Sequence, residues 1–149
     1  MQFQVPKSFD EIKDAVIAPE GVYKFIVTKI ESMPNKAGTG NNIVIDLTLT
    51  GDTDDHNGIV QTIYLPLPNP LDEGKTTRAG QTMVDWKLQN IKDNVEALGG
   101  EIKGDTFDIP DNAMCKANLG IQMNAESGNK FNRIDGRIMS YKAGAKHAS

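Results

Sequence analysis

Residues 22–50 read VYKFIVTKIE, SMPNKAGTGN, NIVIDLTLT, two β-rich runs around a linker of turn formers. Val, Ile, Thr, Tyr and Phe crowd the runs because branched and aromatic side chains suit a pleated, half-buried surface. In the second run Ile43, Ile45, Leu47 and Leu49 share one face, and Val44, Asp46 and Thr48 share the other. That alternation predicts a strand with one face in a core and one toward solvent or a ligand. The linker carries Pro34, Gly38 and Gly40 with one cation, Lys36, so a long hairpin with a flexible, slightly basic loop is expected. The first run places Tyr23, Phe25 and Val27 on one face but Val22, Ile26 and Ile30 on the other. Such a strand is buried on both sides for part of its length, or bends between two sheets.

Upstream, Ser8 and Glu11 have capping-box spacing, and Phe9, Ile12 and Val16 share one helical face, predicting a short helix stopped by Pro19. Downstream, DTDDHNG (52–58) has acids spaced as in a calcium loop. His56 takes the third ligand position and Ile63 stands where the bidentate Glu belongs, so an acidic turn is expected. A third strand follows, with Ile59, Ile63 and Leu65 on one parity and Val60, Thr62 and Tyr64 on the other. Pro66, Pro68 and Pro70 end it, since proline cannot donate to a ladder.

Residues 82–98 predict one long helix, capped by Thr82 and closed by Gly99-Gly100. Val84, Leu88, Ile91, Val95 and Leu98 form a narrow apolar stripe. Trp86 falls opposite it, either covered by the leading helix or a loop, which is the expectation, or exposed for a partner. Residues 101–113 are expected to be a connector with an apolar anchor at Phe107–Ile109. A fourth strand has Cys115, Ala117, Leu119, Ile121 and Met123 inward; KFNRIDGRIMSY (130–141) is the fifth.

With 149 residues, a mean hydropathy of −0.41 and no long apolar run, a water-soluble chain of one main domain is expected. The divisions expected are an N-terminal extension over 1–20, a barrel domain over 21–142 and a disordered tail over 143–149. The single cysteine excludes an internal disulfide, and the N-terminus has no secretory pattern, so a reducing cytoplasm is the expected location. The net charge of −4 is unevenly spread. Residues 1–74 hold five lysines against eleven acids, whereas residues 130–149 hold five bases against Asp135 alone.

The order β-β-β-α-β-β predicts a mainly β protein, a five-stranded OB-fold Greek-key barrel. Its long helix lies between strands three and four, and a short helix leads. Periodicity alone equally permits an open α+β sheet. The phrases PEGVYKFIVTKIE, NKAGTGNNIVIDLTLTG, WKLQNIKDNVEALGG and NRIDGRIMSY resemble a family of small phage-encoded OB-fold single-stranded DNA-binding proteins, over most of residues 19–142. The resemblance implies an OB barrel that binds single-stranded DNA, works in phage replication or recombination in the bacterial host, and has no catalytic role.

No signature of a metal site, phosphate loop or activated nucleophile is present, so neither enzymatic activity nor a cofactor or metal is expected. Single-strand sites combine cations along the backbone with aromatic platforms for bases. The candidates are Lys24, Lys36, Tyr64, Lys116, Lys130, Phe131, Arg133, Arg137 and Tyr141. Tyr64 is either a platform or packing for the proline connector. Phe131 is either core or platform. Few aromatics are available, so affinity would lean on phosphate contacts and on self-association of copies side by side. The alternative is a protein-interaction module, an anti-defence or assembly factor, using the same barrel on a host or phage protein. No membrane partner is expected.

Overall fold

The computed structural model describes residues 1–11, 17–51 and 58–141. The strands are β1 (Gly21–Pro34), β2 (Asn41–Leu49) and β3 (Val60–Pro66), then helix α1 (Met83–Ala97). A small hairpin follows, β4 (Glu101–Lys103) and β5 (Thr106–Asp108), and then β6 (Met114–Met123) and β7 (Lys130–Ser140). Five strands form one sheet in the order β3-β2-β1-β6-β7, with every pairing antiparallel.

This sheet is nearly closed into a barrel. Its two edges, β3 and β7, make no main-chain ladder. One side chain bridges them instead: Gln61 Nε2 donates to the Asn132 carbonyl at 3.2 Å, and Gln61 Oε1 accepts from the Ile134 N–H at 3.2 Å. The primary amide thus stands in for one residue of a missing strand. The arrangement is consistent with an OB-like barrel.

Alternation fills the interior as the strand patterns require. Phe25, Ile45, Leu47, Leu65, Cys115, Ala117 and Leu119 are buried, and α1 adds Ile91, Val95 and Leu98. The helix starts where Thr82 accepts from the Asp85 N–H at 3.1 Å. It ends in a Schellman motif, with Gly100 N–H on Val95 O at 2.8 Å and Gly99 at φ 74°. A Cβ on Gly100 would collide with the Asp108 carbonyl, so glycine lets β5 lie against the helix end. A buried ion pair steadies α1 from the side: Lys87 Nζ contacts both oxygens of Asp72, at 3.0 and 2.8 Å. Asp72 also accepts from the Asn69 N–H at 2.9 Å.

Several expectations need correction. The first strand is not buried on both faces, since Val22 is 59% exposed. Its mixed pattern comes from a bulge at Thr28: Val27 pairs with Leu47 but Lys29 with Asp46, so the parity switches and Ile30 faces the Ile45 side. The loop over 35–40 is bonded rather than loose, with Asn35 N–H on Gly40 O at 2.8 Å and Thr39 N–H on Asn35 Oδ1 at 3.0 Å. The connector over 101–113 contains the β4–β5 hairpin, so the helix runs from the third strand into a small second sheet before the barrel resumes at β6. Phe107 and Ile109 do anchor it to the core. Leu88, expected in the stripe, is 50% exposed, and Trp86, expected to be covered, is 45% exposed.

Phe9–Glu11 form a 3-10 turn in which Ser8 Oγ accepts from the Asp10 N–H at 3.3 Å. The Glu11 side chain and Ile12 and Val16 of the expected helical face lie outside the described residues. So do the acidic turn with His56 and the expected disordered tail. No helix among the described residues is long and apolar enough to cross a membrane.

Candidate nucleic-acid interface

A groove of about 340 Å³ runs along the gap between β3 and β7. The two strands run the same way, since four antiparallel steps separate them in the sheet order, and Gln61 lies against 132–134 while Leu65 and Ile138 line the groove farther on. Three of the nine candidates line this groove: Tyr64, Arg133 and Arg137. Outward parity on β3 leaves Tyr64 60% exposed, across from Val44 of β2. The floor is α1, which contributes Asn90 and Asn94.

β7 is shaped for this gap. Lys116 pairs with Met139 but Asn118 with Asp135, so three β7 residues oppose one on β6. Gly136 sits in that bulge at φ 81°, a conformation costly for any residue with a Cβ.

The cations of the groove differ in their engagement. Arg137 Nη1 is 2.8 Å from Asp93 Oδ2 on α1. Arg133 has no ion-pair partner among the described residues. Phe131, two residues earlier on the same face of β7, is 42% exposed. It is therefore not core. Lys130 opens the strand, exposed and paired across the ladder with Met123. The preceding turn is fixed by Asn124 Oδ1, which accepts from the Glu126 and Ser127 N–H groups.

The remaining candidates lie elsewhere. Lys24 of β1 and Lys116 of β6 are direct ladder partners, and each ammonium is 5.9 Å from the centroid of the Tyr141 ring. That is the outer limit of cation–π attraction, so Tyr141 is a shared rest for two lysines. Lys36 sits in the loop beyond Pro34, at the Pro66 end of β3, while Lys130 lies near the Gln61 end. A strand's length of roughly 20 Å separates those ends.

Four residues were not singled out from sequence: Gln61, Asn132, and Asn90 and Asn94 of α1. Asn132 Oδ1 accepts from the Ala18 N–H at 2.8 Å, and its Nδ2 donates to Ala18 O at 2.9 Å. It holds the entry to β1 against β7 as a peptide unit would. A polar residue at an inward parity on each edge strand is the signal that could have marked them. Cys115 is fully buried, and desolvation pushes its thiol up to about 12, so it is core and not a nucleophile.

No protein-family model matches the chain, and no curated protein matches it either.

Proposed function

We propose that the protein binds single-stranded DNA without sequence preference and without catalysis, in the service of replication or recombination of the phage type. One observation carries this reading: Tyr64, Arg133 and Arg137, drawn from strands about seventy residues apart in sequence, line one groove. A flat ring beside cations is what an unpaired strand requires, since every base has a face to stack and every nucleotide a phosphate. Phe131 and Lys130 extend the same line along β7. Lys24, Lys116 and Tyr141 would serve a longer strand continuing around the outside of β1 and β6. The parallel approach of the third and last barrel strands supports an OB fold, whose members bind oligonucleotides on the face of strands two and three, to which Tyr64 belongs.

The test is fluorescence anisotropy with a thymidine oligomer, its duplex and the matching RNA over a range of salt. Affinity for the single strand should fall with salt by about 0.7 log units per contacted phosphate for each tenfold increase. Arg133→Ala should weaken it. Equal affinity for duplex, or none of this salt dependence, overturns the proposal.

A second reading draws on a separate surface. Leu88 is exposed on α1 and borders an apolar cleft of about 440 Å³ with Ile102 and Phe107. A protein partner would use that side. Capture of a partner that survives nuclease and is lost in Leu88→Ala, with oligomer binding unchanged, would favour it.

A further inference from the structure

We infer that the β3–β7 groove takes one nucleobase of the bound strand edge-on against α1, and that Asn90 and Asn94 read its hydrogen-bonding edge. This rests on the reading of the groove as a single-strand site. The groove is more than a track for phosphates. Its volume of about 340 Å³ lies at the small end of ligand pockets, enough for a base and part of its sugar. It is also built to stay open. Gln61 straps the edges together at one end, and beyond it the two edges make no ladder, with β7 bulged at Gly136.

The floor chemistry suits a base. Asn94 Nδ2 donates to the Asn90 carbonyl oxygen at 2.7 Å and lies 3.3 Å from Asn90 Oδ1. Among the described residues that leaves one amide carbonyl, on Asn94, and one amide NH₂, on Asn90, with no protein partner. A neighbouring donor and acceptor match the edge of an unpaired base, which carries the same pair in complement. The walls do the rest: Tyr64 offers its ring to the base or its neighbour, and Arg133 stands at the lip for phosphate. Phosphate contacts then set most of the affinity, while the two amides add a bias among bases at one position, too small to make any strand sequence a requirement.

The experiment compares a thymidine 15-mer with an abasic 15-mer of the same backbone, by anisotropy at one low salt concentration. The wild-type protein should bind the abasic strand at least about five-fold more weakly, as the loss of even one base contact requires. The Asn90→Ala/Asn94→Ala variant should weaken binding to the thymidine strand by a similar factor and change the ranking of thymidine, cytidine and adenine homopolymers. Its affinity for the abasic strand should not move. Alanine suits a helix, so the variant should keep its urea midpoint. Arg133→Ala should weaken both strands alike. If the wild-type protein binds both strands equally, or the double variant keeps the wild-type ranking, base reading by α1 is wrong while the single-strand reading stands. If the wild-type protein binds neither strand, the single-strand reading fails and this inference falls with it.

Discussion

Arg137 Nη1 lies 2.8 Å from Asp93 Oδ2, which ties the bulged part of β7 to the third turn of α1. Asp93 is oriented by Gln89, whose Nε2 donates to its other oxygen at 2.8 Å. The arginine is largely exposed, so the pair is worth only about 0.2–1 kcal/mol. Phosphate can compete for it. Asp93→Asn should therefore raise affinity for a single strand by up to about five-fold at low salt, the equivalent of the upper end of that energy, and the gain should vanish at high salt. Anisotropy titrations at two salt concentrations measure it.

Gln61 carries the only side-chain bridge across the seam among the described hydrogen bonds. Gln61→Ala leaves the Asn132 carbonyl and the Ile134 N–H without that partner. The expected cost is about 1–3 kcal/mol, read as a lower urea midpoint. Amide exchange should quicken in β7 before it does in β1.

Asn132→Ala should cost more, about 2–4 kcal/mol, because both main-chain groups of the buried Ala18 lose their partner. Asn132→Asp keeps an acceptor for the Ala18 N–H but sets a carboxylate against its carbonyl, so it should not restore stability at neutral pH.

The Lys87 hydrogen bond, then the Asn69 N–H, hold the Asp72 carboxyl below its ordinary value of 3.8, with burial opposing them. A depressed carboxylate contributes stability that is complete above the unfolded value and lost as the pH falls through the folded one. Unfolding midpoints should accordingly be flat in this respect above about pH 5 and drop below pH 3.8. Lys87→Met should lower the neutral-pH midpoint and flatten that acid limb, in urea titrations across pH 2.5–7.

Burial pushes the Cys115 thiol up to about 12, so little thiolate exists at neutral pH. Alkylation at pH 8 should be negligible in the native protein. It should rise with urea along the same transition that circular dichroism reports. Labelling well before that transition would mean that β6 opens locally.

Much of the barrel is legible in the sequence because period-two burial is a direct imprint of the sheet. Ile45, Leu47, Leu49, Ala117 and Leu119 face inward as their spacing requires. The helix and its caps are equally legible, through Thr82 and the paired glycines. What escapes is whatever depends on the neighbour. The bulge at Thr28 is a property of the β1–β2 register, not of either strand. Strands of three residues are too short to alternate, although Gly104-Asp105 is a two-residue turn. Leu88 lies on the apolar stripe by angle, yet the hairpin opposite leaves a cleft beside it. Of the candidate site, outward parity marks Tyr64 and Arg133. Their convergence on one groove depends on how the seam closes, and Lys36, Lys24 and Lys116 fall elsewhere for the same reason.

The central position of β1 bears on synthesis. Its partner β2 follows within a few residues, but Phe25 faces Cys115, ninety positions later. A nascent chain can therefore form the β1–β2–β3 meander early and must then wait for the last third of the polypeptide. Until β6 emerges, residues 21–26 present a raw sheet margin to the ribosome's surroundings. Such a non-local pairing slows the final step. Overproduction of chains truncated before residue 114 should therefore end in inclusion bodies.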